Sequence, residues 1–128
     1  MSSDPKVTQL DSIAQINPVR KVVKGDYIPF IDMAALSQNL RDINKNSIDQ
    51  RIAKGAGAHF KNFDTLLARI TPCLENGKTA QVKCLEDNIV GEGSTEFIVL
   101  CGLESADNDY IYYLCRDPEF RKYAINRM

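Results

Sequence analysis

The sequence predicts an α+β fold: a curved, mostly antiparallel sheet with short peripheral helices and a helical pair at the C-terminus. Residues 65–70 and 79–85 are strand-like apolar runs on either side of a polar loop. Residues 94–103 alternate as a strand whose two faces are both apolar, which is typical of a covered central strand. Residues 110–128 carry two apolar stripes at helical spacing, each preceded by an aspartate suited to capping.

The N-terminal part of the chain predicts two further strands. Residues 19–23 and 27–33 are strand-like runs joined by a Lys-Gly-Asp turn at residues 24–26. Because Pro29 cannot donate to a ladder, the second run predicts an edge strand or a bulge. Residues 1–16 are expected to form a helical turn or an edge strand.

Polar stretches interrupt these elements. Residues 34–40 are expected to complete one helical turn, and residues 37–51 are rich in polar and charged side chains with few apolar anchors. A loop of that length is uncommon in a compact domain unless it has a function. Residues 86–92 predict a second, acidic loop.

Length and composition predict one domain of an ordinary globular class. The chain has 128 residues, of which 44% are hydrophobic and 26% are charged, and such values are typical of a single soluble domain. No apolar run reaches the length of a membrane-spanning helix, and the polar start lacks the apolar core of a signal peptide. We therefore expect residues 1–128 to be one cytoplasmic domain without a membrane partner.

The charges are unevenly distributed along the chain. Residues 17–84 hold eleven Lys and Arg against six Asp and Glu, a net charge of +5, and residues 85–128 hold four against nine, a net charge of −5. If the two segments separate on folding, the domain has a basic face that attracts phosphate and an acidic face that is free for another partner. If they intermix, no such faces form.

The residues show no catalytic or metal-binding pattern. The four cysteines are widely spaced without a CxxC pair, and the chain has one histidine, His59, whereas zinc sites need closely paired ligands. We therefore predict buried free thiols, no metal, no cofactor and no catalytic residue. Residues 54–61 contain two glycines but match neither a dinucleotide nor a P-loop fingerprint.

Basic and amide side chains in the predicted loops are suited to DNA. Arginine and lysine hydrogen-bond to guanine edges, and asparagine and glutamine hydrogen-bond to adenine. Residues 41–51 contain all four of these residue types. The small residues at 55–58 would allow a backbone to lie against phosphates.

Three motifs, in this order, resemble the target recognition domain of type I restriction-modification specificity (S) subunits. They are FDTLLARITPCLENGK at residues 63–78, GEGSTEFIVL at residues 91–100 and YIYYLCRDPEFRKYAINRM at residues 110–128. The segments LDSIAQINP and YIPFIDMAALS also resemble the entry to such a domain. A full specificity subunit carries a second such domain and two long spacer helices, so the chain resembles the N-terminal target recognition domain of a longer subunit.

The resemblance implies non-catalytic, sequence-specific recognition of double-stranded DNA, with this domain reading one half of a bipartite site. It also implies methyltransferase (M) subunits, which bind S-adenosylmethionine, and through them restriction (R) subunits as partners. The residues expected to contact DNA are Lys78, Lys61, Lys54, Arg69, Arg51, Lys45, Asn76 and His59. An alternative for Arg69 is an ion pair with Glu75 or Glu96 that holds the loop.

Two other functions are open to the same sequence. The chain could be a protein-interaction module that docks a methyltransferase subunit through the acidic segment 85–128, without DNA affinity of its own. A small enzyme would need an acid–base or metal site, which one histidine and unpaired carboxylates do not provide.

Overall fold

The computed structural model describes residues 13–37, 40–69, 78–86, 88–104 and 107–120. Its strands are β1 (Ala14–Ile16), β2 (Tyr27–Ile31), β3 (Ile48–Ile52), β4 (Ala58–Phe60), β5 (Thr65–Ala68), β6 (Thr79–Gln81), β7 (Gly91–Gly93) and β8 (Phe97–Gly102). Helix α1 (Asp107–Cys115) follows, and short 3₁₀ turns occupy Met33–Ala35 and Lys45–Ser47. The α+β class is confirmed.

The strands form two four-stranded sheets rather than one. The first has the order β1-β8-β5-β6 and is antiparallel throughout, and the second has the order β3-β2-β7-β4. In the second sheet, β2 and β7 run parallel, whereas β3 and β4 pair antiparallel with their neighbours. The prediction of mostly antiparallel pairing is therefore confirmed.

The alternating side chains of β5 and β8 explain the layering of the domain. Leu67 and Ile98 point to a cluster beneath α1, which also contains Leu114 of that helix. Leu66 and Val99 point the other way, into a second cluster. That second cluster includes Ile31 and Phe60 of the second sheet. The first sheet is thus covered on both faces, as the apolar pattern of residues 94–103 predicts.

Strand β7 lies deep in the domain although its residues have low strand propensity. Glu92 and both flanking glycines are buried. A Cβ atom on Gly93 would lie 2.7 Å from the ring of Phe97 and 3.0 Å from the carbonyl oxygen of Ile31. Glycine is therefore needed here because two other elements pack against the strand.

Pro29 lies in an interior strand, but at a position that has one neighbour. It pairs with Gln50 of β3, and the parallel pairing of β2 with β7 covers only Phe30 and Ile31. The missing amide of proline therefore interrupts no ladder on the β7 side. The local environment is that of an edge, as predicted.

Several predicted elements differ from the structure. Residues 19–23 are not a strand, and β4 was not predicted as one. Residues 48–51 of the predicted polar loop belong to β3, and residues 91 and 92 of the predicted acidic loop belong to β7. Strand β3 escapes prediction because it is an edge strand with four exposed residues out of five, so it lacks apolar alternation. Helix α1 also begins earlier than expected, at Asp107.

The basic and acidic halves of the chain are interleaved. β7 lies between β2 and β4, and β8 lies between β1 and β5, so the acidic segment supplies interior strands to both sheets. The division by sequence therefore does not by itself give two oppositely charged faces. Among the described cysteines, Cys115 is buried and Cys84 and Cys101 are half-buried, and none of the three forms a disulfide.

Candidate nucleic-acid interface

A cleft of about 710 Å³ lies between residues 17–23, strand β4 and the ends of β5 and β8. Its basic lining consists of Arg20, Lys21, His59 and Arg69. Two of these, His59 and Arg69, belong to the predicted DNA-contacting set. The tertiary structure brings them together with two cationic residues that the sequence analysis did not select.

Arg20 anchors one wall of this cleft. Its Nη1 and Nη2 atoms donate to the two carboxylate oxygens of Asp64 at 2.6 and 3.2 Å, and the side chains are only 13% and 3% exposed. The amide of Lys61 donates to the same carboxylate at 2.8 Å. Burial raises the pKa of the Asp64 carboxyl, although that amide and the guanidinium both act to lower it.

Glu92 lies behind the part of the lining formed by Gly55 and His59. Its carboxylate accepts hydrogen bonds from the amides of Lys54 and Gly55, both at 3.1 Å, and lies 3.0 Å from Nε2 of His59. Glu92 is 3% exposed. Although burial tends to raise its pKa, the hydrogen bonds from His59, Lys54 and Gly55 outweigh burial, so the pKa of Glu92 is lowered.

These contacts revise the role expected for residues 54–59. The amides of Lys54 and Gly55 already serve Glu92, and a Cβ atom on Gly57 would overlap the carbonyl oxygen of Gly93. The glycines thus let the loop lie against β7, a contact within the domain. His59 pairs with Glu92 and its side chain is only 12% exposed, so it supports the cleft wall and is poorly placed to touch DNA.

The second region that holds predicted DNA-contacting residues is the β3 surface, which we define as the 3₁₀ turn Lys45–Ser47 together with β3. Neighbouring strand residues point to opposite faces, so the predicted base-reading side chains are divided. Lys45 and Gln50 line a groove of about 490 Å³ on one face. Asn46 and Arg51 line a groove of about 390 Å³ on the other.

The remaining predicted residues are dispersed. Lys54 is exposed. Lys61 and Lys78 are half-buried; Lys61 directly follows β4, and Lys78 directly precedes β6. The Arg69 amide donates to the Glu96 carbonyl at 3.1 Å while its exposed side chain lines the cleft. Asn76 and Glu75 lie outside the described residues.

Three features escaped sequence reasoning: Arg20, Asp64 and Glu92. Arg20 lies in residues 19–23, which the sequence predicts as a strand rather than as part of a site, and Glu92 lies in the stretch predicted as an acidic loop. Their partners are 44 and 33 residues away in sequence. Spacing within a local window cannot reveal such pairs.

The described residues contain no group of three or more His, Cys, Asp or Glu side chains that could hold a metal ion. No described helix is long and apolar enough to cross a membrane. No protein-family model matches the chain.

Two curated proteins of Escherichia coli are similar to nearly the whole chain. The type I restriction enzyme EcoAI specificity subunit is 33% identical over 124 residues, which are 94% of this chain and 21% of that subunit. The type I restriction enzyme EcoEI specificity subunit is 34% identical over 115 residues, which are 87% of this chain and 19% of that subunit. The resemblance to type I specificity subunits is confirmed.

The resemblance extends to the fold. A chain from a structural study of complex assembly and conformational transition in the type I restriction-modification system matches with a TM-score of 0.50 at 19% identity. The match covers 88% of this chain and 28% of that chain, and at this identity it shows the fold alone. The chain spans about a fifth of the length of the curated relatives it matches.

The names of the relatives also bear on catalysis. Both relatives are specificity subunits of restriction enzymes. The prediction that this chain belongs to the specificity component, and not to a catalytic subunit, agrees with these names.

Proposed function

We propose that this domain recognises double-stranded DNA in a sequence-specific manner and contributes one half of a bipartite site in a type I restriction-modification complex. The observation that carries the proposal is the similarity to two specificity subunits along nearly the whole chain. On this proposal the domain works in the cytoplasm with methyltransferase subunits and, through them, restriction subunits.

Two regions of the structure support DNA as the ligand. The cleft presents the exposed Arg69 and Lys21, and its shape is held by two buried contacts, Arg20 with Asp64 and His59 with Glu92. The β3 surface presents Arg51, Gln50 and Lys45 as exposed side chains on an edge strand and a turn. Strands and turns of this kind can enter a DNA groove, and these residue types hydrogen-bond to base edges.

The lysines of the predicted set test the proposal through counterion release. If Lys54, Lys61 and Lys78 each contact a phosphate, replacing any one with alanine reduces the salt slope of DNA binding by about one unit. Lys83→Ala is the matched control, because Lys83 is exposed and lies outside the predicted set. Slopes are measured by titrating labelled duplexes over a range of salt concentrations, and unchanged slopes for all three lysine variants would remove them from the interface.

The alternative function, a module that docks a methyltransferase subunit without DNA affinity, has one observation in its favour. Leu40 and Tyr113 are 68% and 62% exposed, and both line a groove beside α1. Exposed apolar side chains grouped in this way are typical of protein contacts. Binding of a methyltransferase subunit by a protein that fails to bind duplex DNA even at low salt would favour this alternative.

A further inference from the structure

Arg51 is held in a defined position on the exposed face of an edge strand. Its Cζ atom lies 4.1 Å from the ring centroid of Phe30, and its Nε donates to Oδ2 of Asp49 at 2.8 Å. Phe30 pairs directly with Asp49 across β2 and β3. Asp49 and Arg51 are two residues apart in one strand, so all three side chains lie on the same face.

Asp49 is itself fixed at both oxygens. Oδ1 accepts from the amide of Gln50 at 2.9 Å, and Oδ2 accepts from Arg51. The hydrogen bond from Arg51, followed by that from the Gln50 amide, lowers the pKa of Asp49. The carboxylate is therefore charged at neutral pH and can keep the guanidinium oriented.

This arrangement uses one face and one edge of the guanidinium. The face covers Phe30 and the Nε edge meets Asp49, while Nη1 and Nη2 make no hydrogen bond to the described residues. Those two nitrogens form the fork that pairs with two adjacent acceptor atoms. Arg51 is 50% exposed in its side chain, so the fork is accessible from solvent.

The charges around Arg51 indicate which acceptors it takes. Two carboxylates, Asp32 and Asp49, line the groove together with Arg51, and Arg51 is the only cation in that lining. A phosphate would be repelled by this net negative groove, whereas an uncharged base edge would not. Guanine presents two neighbouring acceptors, O6 and N7, in the major groove.

We propose that Arg51 reads a guanine through a bidentate contact, with Asp49 and Phe30 as positioning residues that hold its guanidinium. This inference rests on the proposed DNA-recognition function and names one base that the domain would read. It assigns to Arg51 a role different from that of a phosphate-contacting lysine.

The test is a selection of randomised duplexes by the protein at the full length encoded by its gene, followed by equilibrium titrations. The wild-type protein is expected to prefer guanine at one position by roughly 5- to 150-fold over the other bases, the range for a good bidentate pair. Arg51→Lys keeps the positive charge but lacks the planar fork. It should lose most of that preference and keep the salt slope.

Asp49→Ala is the second variant, and it tests the positioning role. It leaves Arg51 intact and makes the groove less negative. The affinity for unrelated DNA should therefore stay the same or increase, while the preference for guanine falls at least several-fold. Both variants change an exposed edge strand, and their thermal unfolding is recorded alongside that of the wild type.

The outcomes separate this inference from the function on which it rests. If Arg51→Lys selects the same sequence with the same preference as the wild type, the guanine contact is refuted and DNA recognition stands. A lower salt slope for Arg51→Ala with an unchanged selected sequence would likewise refute it in favour of a phosphate contact. A wild-type protein that selects no sequence would refute both.

Discussion

Replacing Glu92 with glutamine is expected to destabilise the domain and release the wall of the cleft. The carboxylate is 3% exposed and has three hydrogen-bonding partners, the amides of Lys54 and Gly55 and the ring of His59, at 3.0 to 3.1 Å. Glutamine keeps the shape of the side chain. It replaces one acceptor oxygen by an NH₂ group, which would face a donor, and it removes the charge from the other contacts.

The magnitude follows from the bonds that are lost. Hydrogen bonds to a charged group contribute about 1.5–3 kcal/mol each, and a buried donor left without a partner costs about 1–3 kcal/mol. Losing one of the three bonds at Glu92 and weakening the others should lower the free energy of unfolding by about 2–3 kcal/mol. For a domain of this size, we expect the melting temperature to fall by roughly 10 °C.

The effect of Glu92→Gln should depend on pH. The folded-state pKa of Glu92 is lowered, so folding favours the ionised form. The contribution of the Glu92 carboxylate to the stability of the fold is fully present above the pKa of the unfolded state, near 4.5. It is lost as the pH falls through the lower pKa of the folded state. The difference in stability between the wild type and Glu92→Gln should therefore be full at pH 7 and shrink below about pH 4. His59, which faces Glu92, is present in both proteins.

Urea denaturation followed by circular dichroism at a series of pH values measures this difference. Glu104→Gln is the control, since it makes the same chemical change at an exposed position. If Glu92→Gln and Glu104→Gln have the same unfolding midpoint at pH 7, the carboxylate does not hold the loop. A stability difference that grows on acidification would contradict the pKa argument.

Two further substitutions have matched controls within the chain. Gly57→Ala should lower the free energy of unfolding by more than about 2 kcal/mol, because Gly57 has a positive φ of 96° and a Cβ atom there would overlap the carbonyl oxygen of Gly93. Gly25→Ala also replaces a glycine of positive φ, but it has open space around it and should cost about 1 kcal/mol. Equal melting temperatures for the two variants would contradict the packing argument. Asp64→Asn breaks a buried ion pair and should lower the free energy of unfolding by about 3 kcal/mol. Asp42→Asn breaks an exposed ion pair and should lower it by less than about 1 kcal/mol. If urea denaturation shows no larger loss of stability for Asp64→Asn than for Asp42→Asn, the buried pair is not needed.

The central strands could be predicted because their local composition agrees with their burial. Residues 65–68 and 97–100 are apolar or small and entirely buried in the structure, and a covered strand needs little else to be recognised. Helix α1 follows the same logic, with Ile111 and Leu114 buried. In these segments local pattern and tertiary environment coincide.

Strands β3 and β7 could not be predicted, for opposite reasons. β3 is exposed along most of its length and is defined by pairing with β2. β7 is buried but consists of two glycines and a glutamate, and its place is decided by Phe97 packing on Gly93 and by the donors around Glu92. Strand β2, which pairs with β3, and the donors around Glu92 both lie far away in sequence.

The sequence by itself determined the α+β class, the buried strands β5 and β8, and the resemblance to type I specificity subunits, because apolar periodicity and ordered motifs are local properties of the chain. The tertiary structure alone decided that the strands form two sheets and that the acidic half of the chain is interleaved with the basic half. It also placed His59 against Glu92 and Arg51 between Phe30 and Asp49. Whether a charged side chain faces solvent or a buried partner depends on contacts between distant segments, and those contacts form only when the chain folds.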